Sequence, residues 1–308
     1  MEIAAAVQDE YEQIQEFLMP WEPACVTLCS NVRRKKDKIF VIKGPSTPST
    51  GSGTTDVVSG TTDVVSGTTD LVSGTAAGDT ILGILFLDKT LLYCIPHADT
   101  LPELPACLKD FLKDKKVSVL NGEPVAGHII LAALKELGQT PYQTNNYSLM
   151  KLDTTPLAPP EKLSCDDEIK RCTNPEADLE LLLPLQKMYI AKEVAPAGKQ
   201  VTDLEATASL KSILKDQLCF ALESDGEIVA KANTNAIGFN YVQLGGVYTH
   251  PLYRKNYYAW NLVYTICQRV QKTGRKINLF VKEKNNPAHS LYERMGFVQA
   301  GKYEIAYF

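Results

Sequence analysis

Apolar and polar residues alternate with the two-residue period of β-strands in several stretches of the chain, and segments with helical spacing lie between them. In the first part of the sequence this pattern predicts three strands within 37–44 and 79–94, with a tight turn at Asp88-Lys89-Thr90 between the last two. It then predicts a helix over 101–114, a strand over 116–120, a helix from Pro124 to about Gly138 and a strand over 146–153. We expect the strand over 146–153 to close this part of the chain.

The same kinds of element recur beyond residue 160. They are a strand over 168–172, a helix capped at Asn174-Pro175, a helix opened by a capping box from Thr202 to Glu205, a hairpin over 219–238 that turns at Asp225-Gly226, a strand over 241–251, a helix, a strand over 276–283, a helix over 287–296 and a terminal pair of strands. The proline-rich residues 154–160 indicate a linker. We therefore predict two domains of one architecture, residues 1–153 and residues 161–308, of which the first is shortened.

A repeat interrupts the first domain between two predicted strands. GTTDVVS occurs twice, followed by GTTDLVS and a decayed GTAAG, within a Gly/Ser/Thr-rich insertion over residues 45–79. The apolar residues of each repeat are adjacent and glycine recurs every seven positions, so no coiled-coil seam can form. The tract buries too little apolar surface to offset the entropy of ordering it, and we predict a flexible surface insertion. The alternative is a β-prone tract that pairs with another strand.

Composition narrows the class of partner. The chain has 32 basic and 36 acidic side chains and a formal charge of -4, so no overall positive field would attract nucleic acid or anionic lipid. We find no apolar run that approaches a membrane span and no leader-like amino terminus, and we expect a cytoplasmic protein. Its eight scattered cysteines form no C-x-x-C pair and it has four histidines, so we expect reduced thiols and no metal site.

The turn HPLYRKNYYAW, residues 250–260, leads from a strand into an amphipathic helix predicted over 257–272. Asn256 precedes this helix, where its side chain is expected to cap a free amide, and Arg254 and Lys255 add positive charge. The amino end of a helix presents unpaired N–H donors and the positive end of the helix dipole. The segment alone is therefore compatible with a pyrophosphate site or with an ordinary capped helix beside a solvated Arg-Lys pair.

Two motifs carry a resemblance to the GNAT superfamily of N-acetyltransferases. Residues 285–297, NNPAHSLYERMGF, match the family signature N-x-x-A-x-x-L-Y-x-x-x-G-F at every fixed position. Residues 254–259, RKNYYA, are similar to the Arg-x-x-Gly-x-Gly/Ala turn, with Tyr257 in place of the first glycine. The order of elements over residues 161–308 fits the family fold. The first domain resembles the degenerate amino-terminal half of tandem members, because neither motif appears in it.

The resemblance implies an α+β fold with a mixed, mainly antiparallel sheet flanked by helices. The shortened first domain, residues 1–153, would precede it as a second GNAT-like α+β domain. It also implies acetyl-coenzyme A as a co-substrate, with the pyrophosphate at the 254–259 turn. The pantetheine arm would pair with the strand that ends at 247–249 and splays from its neighbour near Gly245-Gly246. The residues expected to bind acetyl-coenzyme A are Val247, Tyr248, Thr249, Arg254, Lys255, Asn256, Tyr257, Tyr258, Ala259 and Asn285.

The catalytic residues are likewise implied by the resemblance. Tyr292 corresponds to the family's general acid, which protonates the departing thiolate, and a packed aromatic is the alternative interpretation. The attacking amine must be neutral, so a base or a water chain is required. Glu193 falls in the segment that faces the substrate, and His250 is the second candidate, although either can equally be a solvated or structural residue.

The leading functional prediction is an N-acetyltransferase that transfers an acetyl group by direct attack of an unidentified primary amine, on a small molecule or a protein. The alternative is a catalytically silent scaffold of two GNAT-like halves that binds coenzyme A or a partner. Tyr292 favours the enzyme, whereas Tyr257 and the first half without motifs leave room for the scaffold. The sequence does not indicate an oligomeric state.

Overall fold

The computed structural model describes residues 1–44, 80–152, 157, 159–160 and 162–308, which form one twelve-stranded sheet with helices packed on it. The predicted insertion at 45–79 and most of the predicted linker at 154–160 lie outside these residues. Neighbouring strands run antiparallel except in two pairs, so the α+β class with a mainly antiparallel sheet is confirmed. In the described residues, no helix combines the length and apolar character that a bilayer crossing requires.

The part of the chain up to residue 153 is here called the first half, and its described residues form six strands and four α-helices. They are β1 Glu2–Ala5, α1 Tyr11–Leu18, α2 Glu22–Arg33, β2 Ile39–Gly44, β3 Thr80–Leu87, β4 Thr90–Cys94, α3 Leu104–Leu112, β5 Val119–Gly122, α4 Pro124–Glu136 and β6 Gln143–Leu152. The predicted strands and helices are confirmed, with β5 shifted towards the carboxy terminus. β1, α1 and α2 were not predicted.

Residues 161–308, the second half, contain six further strands and four further helices. They are β7 Asp167–Arg171, α5 Pro175–Tyr189, α6 Asp203–Asp216, β8 Cys219–Ser224, β9 Glu227–Ile237, β10 Tyr241–Thr249, α7 Tyr258–Gln271, β11 Lys276–Lys282, α8 Asn286–Arg294 and β12 Val298–Tyr307. A π-helical turn, Ile190–Val194, extends α5. The predicted caps at Asn174 and Thr202 are confirmed, because both side chains accept amide hydrogen bonds.

The end of the chain differs from the prediction. β12 is one strand rather than a pair of strands, with a register shift between Gln299 and Gly301. The irregularity bends the strand without ending it, because β12 pairs with β6 on both sides of the shift. A glycine within a strand marks such a bulge more often than a turn.

The two halves exchange their last strands. The order across the sheet is β1-β2-β3-β4-β5-β12-β6-β11-β10-β9-β8-β7, so β12 pairs with β5 of the first half and β6 pairs with β11 of the second. β6 and β12 are also antiparallel neighbours of each other. The strand over 146–153 was expected to close the first half, and it lies instead between two strands of the second. Each half therefore completes the sheet of the other.

A buried carboxylate joins the halves on one face of this sheet. Glu22, at the start of α2, is fully buried and accepts hydrogen bonds from the amides of Phe239, Asn240 and Tyr241 at 2.6 to 3.1 Å. These amides form the turn between β9 and β10. Hydrogen bonds to charged groups contribute about 1.5–3 kcal/mol each, so this contact fixes α2 of the first half against the second half.

Candidate active site

A parallel strand pair opens at the centre of the second half. β10 pairs with β11 from Tyr241 opposite Lys276 to Leu244 opposite Leu279, and the pairing stops there. β11 nevertheless remains paired with β6 as far as Lys282. Residues 245–249 of β10 thus diverge from β11, and the backbone groups on that side of the strand have no ladder partner in the described sheet. The geometry agrees with the splaying expected near Gly245-Gly246.

The bulge that starts this opening requires glycine. The register between β9 and β10 shifts between Gly245 and Tyr248, and Gly246 has a φ of 59°. A Cβ on Gly246 would lie 1.7 Å from Oδ1 of Asn233, and one on Gly245 would lie 2.0 Å from Nδ2 of Asn235. Two asparagine side chains of β9 therefore occupy the space that side chains of residues 245 and 246 would need.

Lys231 supports the bulge from within the protein. Its side chain is fully buried, and Nζ donates hydrogen bonds to the Gly246 carbonyl and to Oδ1 of Asn233, both at 3.0 Å. Nζ also lies 4.9 Å from the centroid of the Tyr189 ring. Burial lowers the pKa of Lys231 to about 8. Sequence reasoning missed this residue, although a lysine within the apolar strand IVAKAN was a usable signal.

Tyr189, at the end of α5, connects the bulge to the predicted catalytic residues. Its ring is edge-on to that of Tyr248, with the centroids 6.4 Å apart. Burial raises the pKa of Tyr189 to about 12, against a smaller lowering by hydrogen bonding with the Gly246 backbone. The negative charge of Glu193 adds to this rise. Tyr189 was not among the predicted site residues.

Tyr292, the predicted acid, is buried in α8 with 7% of its surface exposed. Its ring meets the Phe297 ring edge-on at 5.6 Å. Burial raises its pKa well above the usual value, and electrostatic interactions with Tyr189, Cys267 and Glu193 raise it further. Tyr292 therefore holds its proton at neutral pH. Glu193, the other residue predicted as catalytic, lies in the π-helical turn and acts on the pKa of both Tyr292 and Tyr189.

The start of α7 differs in one respect from the prediction. Asn256 does not cap the helix, because Tyr257 is the N-cap and Nδ2 of Asn256 donates to the Tyr253 carbonyl at 3.4 Å. No side chain caps α7. The first amide to donate along the helix axis is that of Asn261, to the Tyr257 carbonyl at 3.0 Å. The three preceding amides, 258–260, lack an intrahelical acceptor, which is the feature that suits a helix start to anions.

Tyr257 adopts the conformation of the glycine that it replaces in the motif. Its φ is 58° and its ψ is 12°, in the left-handed region, and Lys255 has a φ of 70°. For residues other than glycine this region costs roughly 1–2 kcal/mol. Tyr257 is 48% exposed. The chain thus places a tyrosine in a backbone conformation that glycine adopts at no steric cost.

The other residues predicted at this turn have separate positions. Arg254 lies back along β10, where Nε donates to the Thr249 carbonyl at 3.3 Å and the guanidinium lies 5.8 Å from the Tyr248 ring. Tyr258 is buried, and its hydroxyl donates to Asp167 at 3.0 Å, so its side chain belongs to the core. Only the Tyr258 amide faces the helix start. Ala259 and Val247 are half-buried.

Asn285 and His250 lie at the ends of other elements. Oδ1 of Asn285 accepts from the Ala288 amide at 3.3 Å and so caps α8. His250 precedes the turn before α7, and its ring is edge-on to Tyr253 at 5.7 Å. Its Nδ1 is buried, with no hydrogen-bond partner in the part of the chain that the structure describes. His250 follows directly on the diverging strand segment 245–249.

A cavity of about 590 Å³ adjoins the bulge, and Asn235 and Tyr189 line it. The π-helical turn and α6 form one wall. The opposite wall comes from the strand exchange, through Ser118, Val119 and Tyr142 of the first half and Tyr307 and Phe308 at the end of the chain. The two halves therefore build this cavity together, next to the strand opening.

Comparison with known proteins agrees with this geometry. Residues 188–297 match the acetyltransferase (GNAT) family, so the second half contains a GNAT acetyltransferase domain. No curated protein sequence matches the chain. The matched stretch includes the strand opening, the α7 turn and Tyr292.

Solved structures resemble the whole chain. A Drosophila protein aligns over 99% of this chain and 98% of its own, with a TM-score of 0.65 and 11% identity. A tandem GNAT protein from the clavulanic acid biosynthesis pathway aligns over 99% and 97%, with a TM-score of 0.57 and 11% identity. A GNAT-family acetyltransferase from Colwellia psychrerythraea covers both chains completely, with a TM-score of 0.53 and 11% identity. At such low identity these matches show the fold, which is a tandem GNAT arrangement.

Proposed function

We propose that the chain transfers an acetyl group from acetyl-coenzyme A to a primary amine by direct attack. The observation that carries this proposal is the opening of β10 from β11 after Leu244, followed along the same strand by a helix start whose amides are uncapped. The opening supplies free backbone groups for the amides of the pantetheine arm. The helix start supplies donors for the pyrophosphate.

The pyrophosphate would bind to the amides 258–260 and to the charges of Arg254 and Lys255. The half exposure of Tyr257 supports a position in which its ring does not cover these amides. Val247, Tyr248 and Thr249 would pair with pantetheine through their backbone, since Tyr248 is buried and opposite Lys231 in the ladder. Asn256 and Asn285 remain proposed contacts at the edges of this site.

The reaction begins when the neutral amine nitrogen attacks the thioester carbonyl and a carbon–nitrogen bond forms. The tetrahedral intermediate collapses as the carbon–sulfur bond breaks. Tyr292 gives its proton to the departing thiolate, and the proton lost by the amine passes to Glu193, directly or through water. Tyr292 is then reprotonated, so the net products are an amide and free coenzyme A. His250 is the second candidate base.

We also propose that residues 1–153 and 161–308 are two GNAT-like units joined by the linker 154–160, and that the first unit has no acetyl-coenzyme A site. It contributes β6 and part of the cavity wall instead. The alternative function is a scaffold that binds coenzyme A or a partner without turnover. The observation that favours the scaffold is Tyr257, because a strained tyrosine stands where the family turn has a glycine.

Thiol release from acetyl-coenzyme A by the full chain, with a panel of primary amines, tests the proposal. The full chain is needed because β6 lies in the sheet of the second half. Tyr292→Phe should lower kcat by roughly a hundredfold to ten-thousandfold, the usual contribution of a positioned acid, and leave acetyl-coenzyme A affinity unchanged. Tyr264→Phe is the matched control, because that hydroxyl contacts only Gln268 in the described chain.

Two results would count against the enzyme. Tight acetyl-coenzyme A binding with no thiol release for any amine would favour the scaffold. Thiol release that is equal in Tyr292→Phe and Tyr264→Phe would remove Tyr292 from the acid role.

A further inference from the structure

We infer that the acceptor is a primary amine on an uncharged, aromatic or apolar body, which binds in the 590 Å³ cavity beside the bulge, rather than a polycationic amine or a basic protein tail. The inference rests on the proposed function for the reaction but not for the binding. It concerns the chemistry of the cavity walls.

The first argument is the position of the cavity. Tyr189 and Asn235 line it, and both also contact the Gly245-Gly246 bulge, where the opening between β10 and β11 begins. A molecule in the cavity therefore has one end at the point where an acyl group in the strand opening would lie. The volume falls within the range of about 300–1,000 Å³ that small-molecule sites occupy.

The second argument is charge. Among the described residues that line the cavity, only Lys199 and Glu205 are charged, and they form an ion pair at 2.8 Å. Hydrogen bonds with Lys199 and with Thr202 lower the pKa of Glu205 to about 2, so the carboxylate is ionised and already occupied. The side chains of the walls thus offer no free carboxylate to a second ammonium group. Burying an unpaired charge is strongly unfavourable, which disfavours polyamines and lysine-rich peptides.

The third argument is the apolar surface. Tyr307, Phe308, Ile190, Val194 and Ile213 all line the cavity, and so does Tyr142, which has 66% of its surface exposed. Rings and aliphatic groups of this kind bind aromatic bodies through area burial and edge contacts. An amine with a flat apolar body would bury this surface, whereas a hydrated cation would leave it exposed to water.

The fourth argument is an unpaired acceptor. Gln186 of α5 is fully buried and lines the cavity. Its Nε2 donates to Oγ of Ser209 at 3.1 Å, while its Oε1 has no partner among the described residues. Buried amide oxygens are almost always paired, so this atom calls for a donor from the occupant. A body with one O–H or N–H group satisfies it.

Calorimetry on the full chain, saturated with coenzyme A, tests the inference with tyramine and spermidine as probes. Tyramine has an aromatic body, one hydroxyl and one amine, whereas spermidine carries three amines on an aliphatic chain. We expect tyramine to bind at least about tenfold more tightly, since a single unpaired buried charge outweighs 1.4 kcal/mol. Equal or tighter binding of spermidine would overturn the inference.

Val201→Glu supplies the missing carboxylate at a lining position and should narrow or reverse the preference. Leu204→Glu is the matched control, because Leu204 is 79% exposed on α6 outside the cavity. A preference that responds equally to both changes, or to neither, would contradict binding in this cavity.

Thiol release from acetyl-coenzyme A, measured separately on the same protein with the same two amines, distinguishes this inference from the proposed function. Preferred tyramine binding without thiol release would refute the enzyme and leave the cavity chemistry standing. Thiol release with spermidine but not with tyramine would support the enzyme and refute the inferred chemistry of the cavity.

Discussion

The two halves contain the same parallel strand pair, and only one of the two is open. In the second half, pairing of β10 with β11 stops after Leu244 and the next residue is Gly245. In the first half, pairing of β4 with β5 stops after Leu92 and the next residue is Tyr93. The Tyr93 ring is buried, and its hydroxyl donates to the Glu123 carbonyl at 2.7 Å.

Tyr93 fills the space that the corresponding opening would occupy. A Cβ on Gly122 of β5 would lie 2.3 Å from the ring, and one on Gly127 of α4 would lie 2.5 Å from its hydroxyl. Both positions therefore require glycine, because a larger residue would clash with the Tyr93 side chain. In the second half the glycines lie on the diverging strand itself, at residues 245 and 246. The strand pair is filled by Tyr93 in the first half, where the glycine lies on β5. It diverges in the second half, where the glycines lie on β10.

The helices that follow β4 and β10 also differ at their amino ends. α7 begins beside Arg254 and Lys255 with free amides, whereas α3 begins after Glu103 and has Pro105, without an N–H, in its first turn. An acid and a missing donor both disfavour phosphate. The start of α3 is thus less suited to an anion than the start of α7.

Gly246→Ala should have the largest effect on this contrast. The added Cβ would meet Asn233, and the positive φ adds strain, so we expect about 2–5 kcal/mol of destabilisation from the two together. Acetyl transfer should fall by more than about a hundredfold, because the opening would close. Gly226→Ala, with a φ of 84° and open space around it, isolates the strain and should cost only about 1–2 kcal/mol. Urea unfolding measures the stability of each variant, and thiol release measures its acetyl transfer. Equal losses of stability and activity in Gly246→Ala and Gly226→Ala would refute the steric explanation.

Lys231→Met makes the second half resemble the first, where the apolar residues Ile84 and Leu85 of β3 lie opposite β4. The Gly246 carbonyl loses a charged donor, so kcat/KM for acetyl-coenzyme A should fall by roughly tenfold to a hundredfold, as expected for about 1.5–3 kcal/mol. Lys215→Met, on the exposed surface of α6, is the control. Unchanged kcat/KM would show that the bulge holds its shape without Lys231.

The Lys231→Met variant also tests how the free energy of unfolding depends on pH. Lys231 has a pKa of about 8 in the folded protein, below the unfolded value of about 10.4. Between these values the unfolded chain binds a proton that the folded chain has lost, so the free energy of unfolding should rise with pH. Relative to Lys231→Met, wild type should gain stability above pH 8, with a slope approaching about 1.4 kcal/mol per pH unit. A difference that stays flat from pH 7 to pH 9 would contradict the buried ammonium.

Tyr257→Gly should have the smallest effect. It relieves left-handed strain of roughly 1–2 kcal/mol but adds chain entropy of about 0.5–1 kcal/mol, so a stabilisation of at most about 1.5 kcal/mol is expected. Acetyl-coenzyme A affinity should change by less than about threefold, because the amides donate from the backbone and Tyr257 is half exposed. Tyr257→Ala removes the ring and keeps the Cβ. An increase of more than tenfold in acetyl-coenzyme A affinity in both Tyr257→Gly and Tyr257→Ala would mean that the ring obstructs the pyrophosphate.

Local patterns predicted most of the elements, and long-range contacts decided what they missed. Thr202 with Glu205 and Asn174 with Pro175 are caps set by neighbours in sequence, so their helices were predictable. α2 is unusual in burying Glu22 and Asn31, which conceals its apolar face from a periodicity analysis. The exchange of β6 and β12 depends on pairing partners more than 120 residues apart, which strand propensity does not encode.

The site was predicted where a motif carried it and missed where packing creates it. Tyr292 follows from the signature over 285–297. Lys231 and Tyr189 matter because β9 and the end of α5 meet at the bulge, a contact without a sequence signature. The cap at Asn256 was wrong because left-handed Tyr257 takes the N-cap position, which a chain with tyrosine there does not suggest.

The reciprocal strand exchange has a consequence for biosynthesis. β5 and β6 leave the ribosome long before β11 and β12, and until then each presents an unpaired edge of the kind that recruits foreign strands. The first half cannot reach its final topology as an independent unit while translation continues, so folding of both halves concludes together once β12 emerges. A nonsense codon that removes only the last ten residues would therefore expose β5 in one half and β6 in the other at the same time.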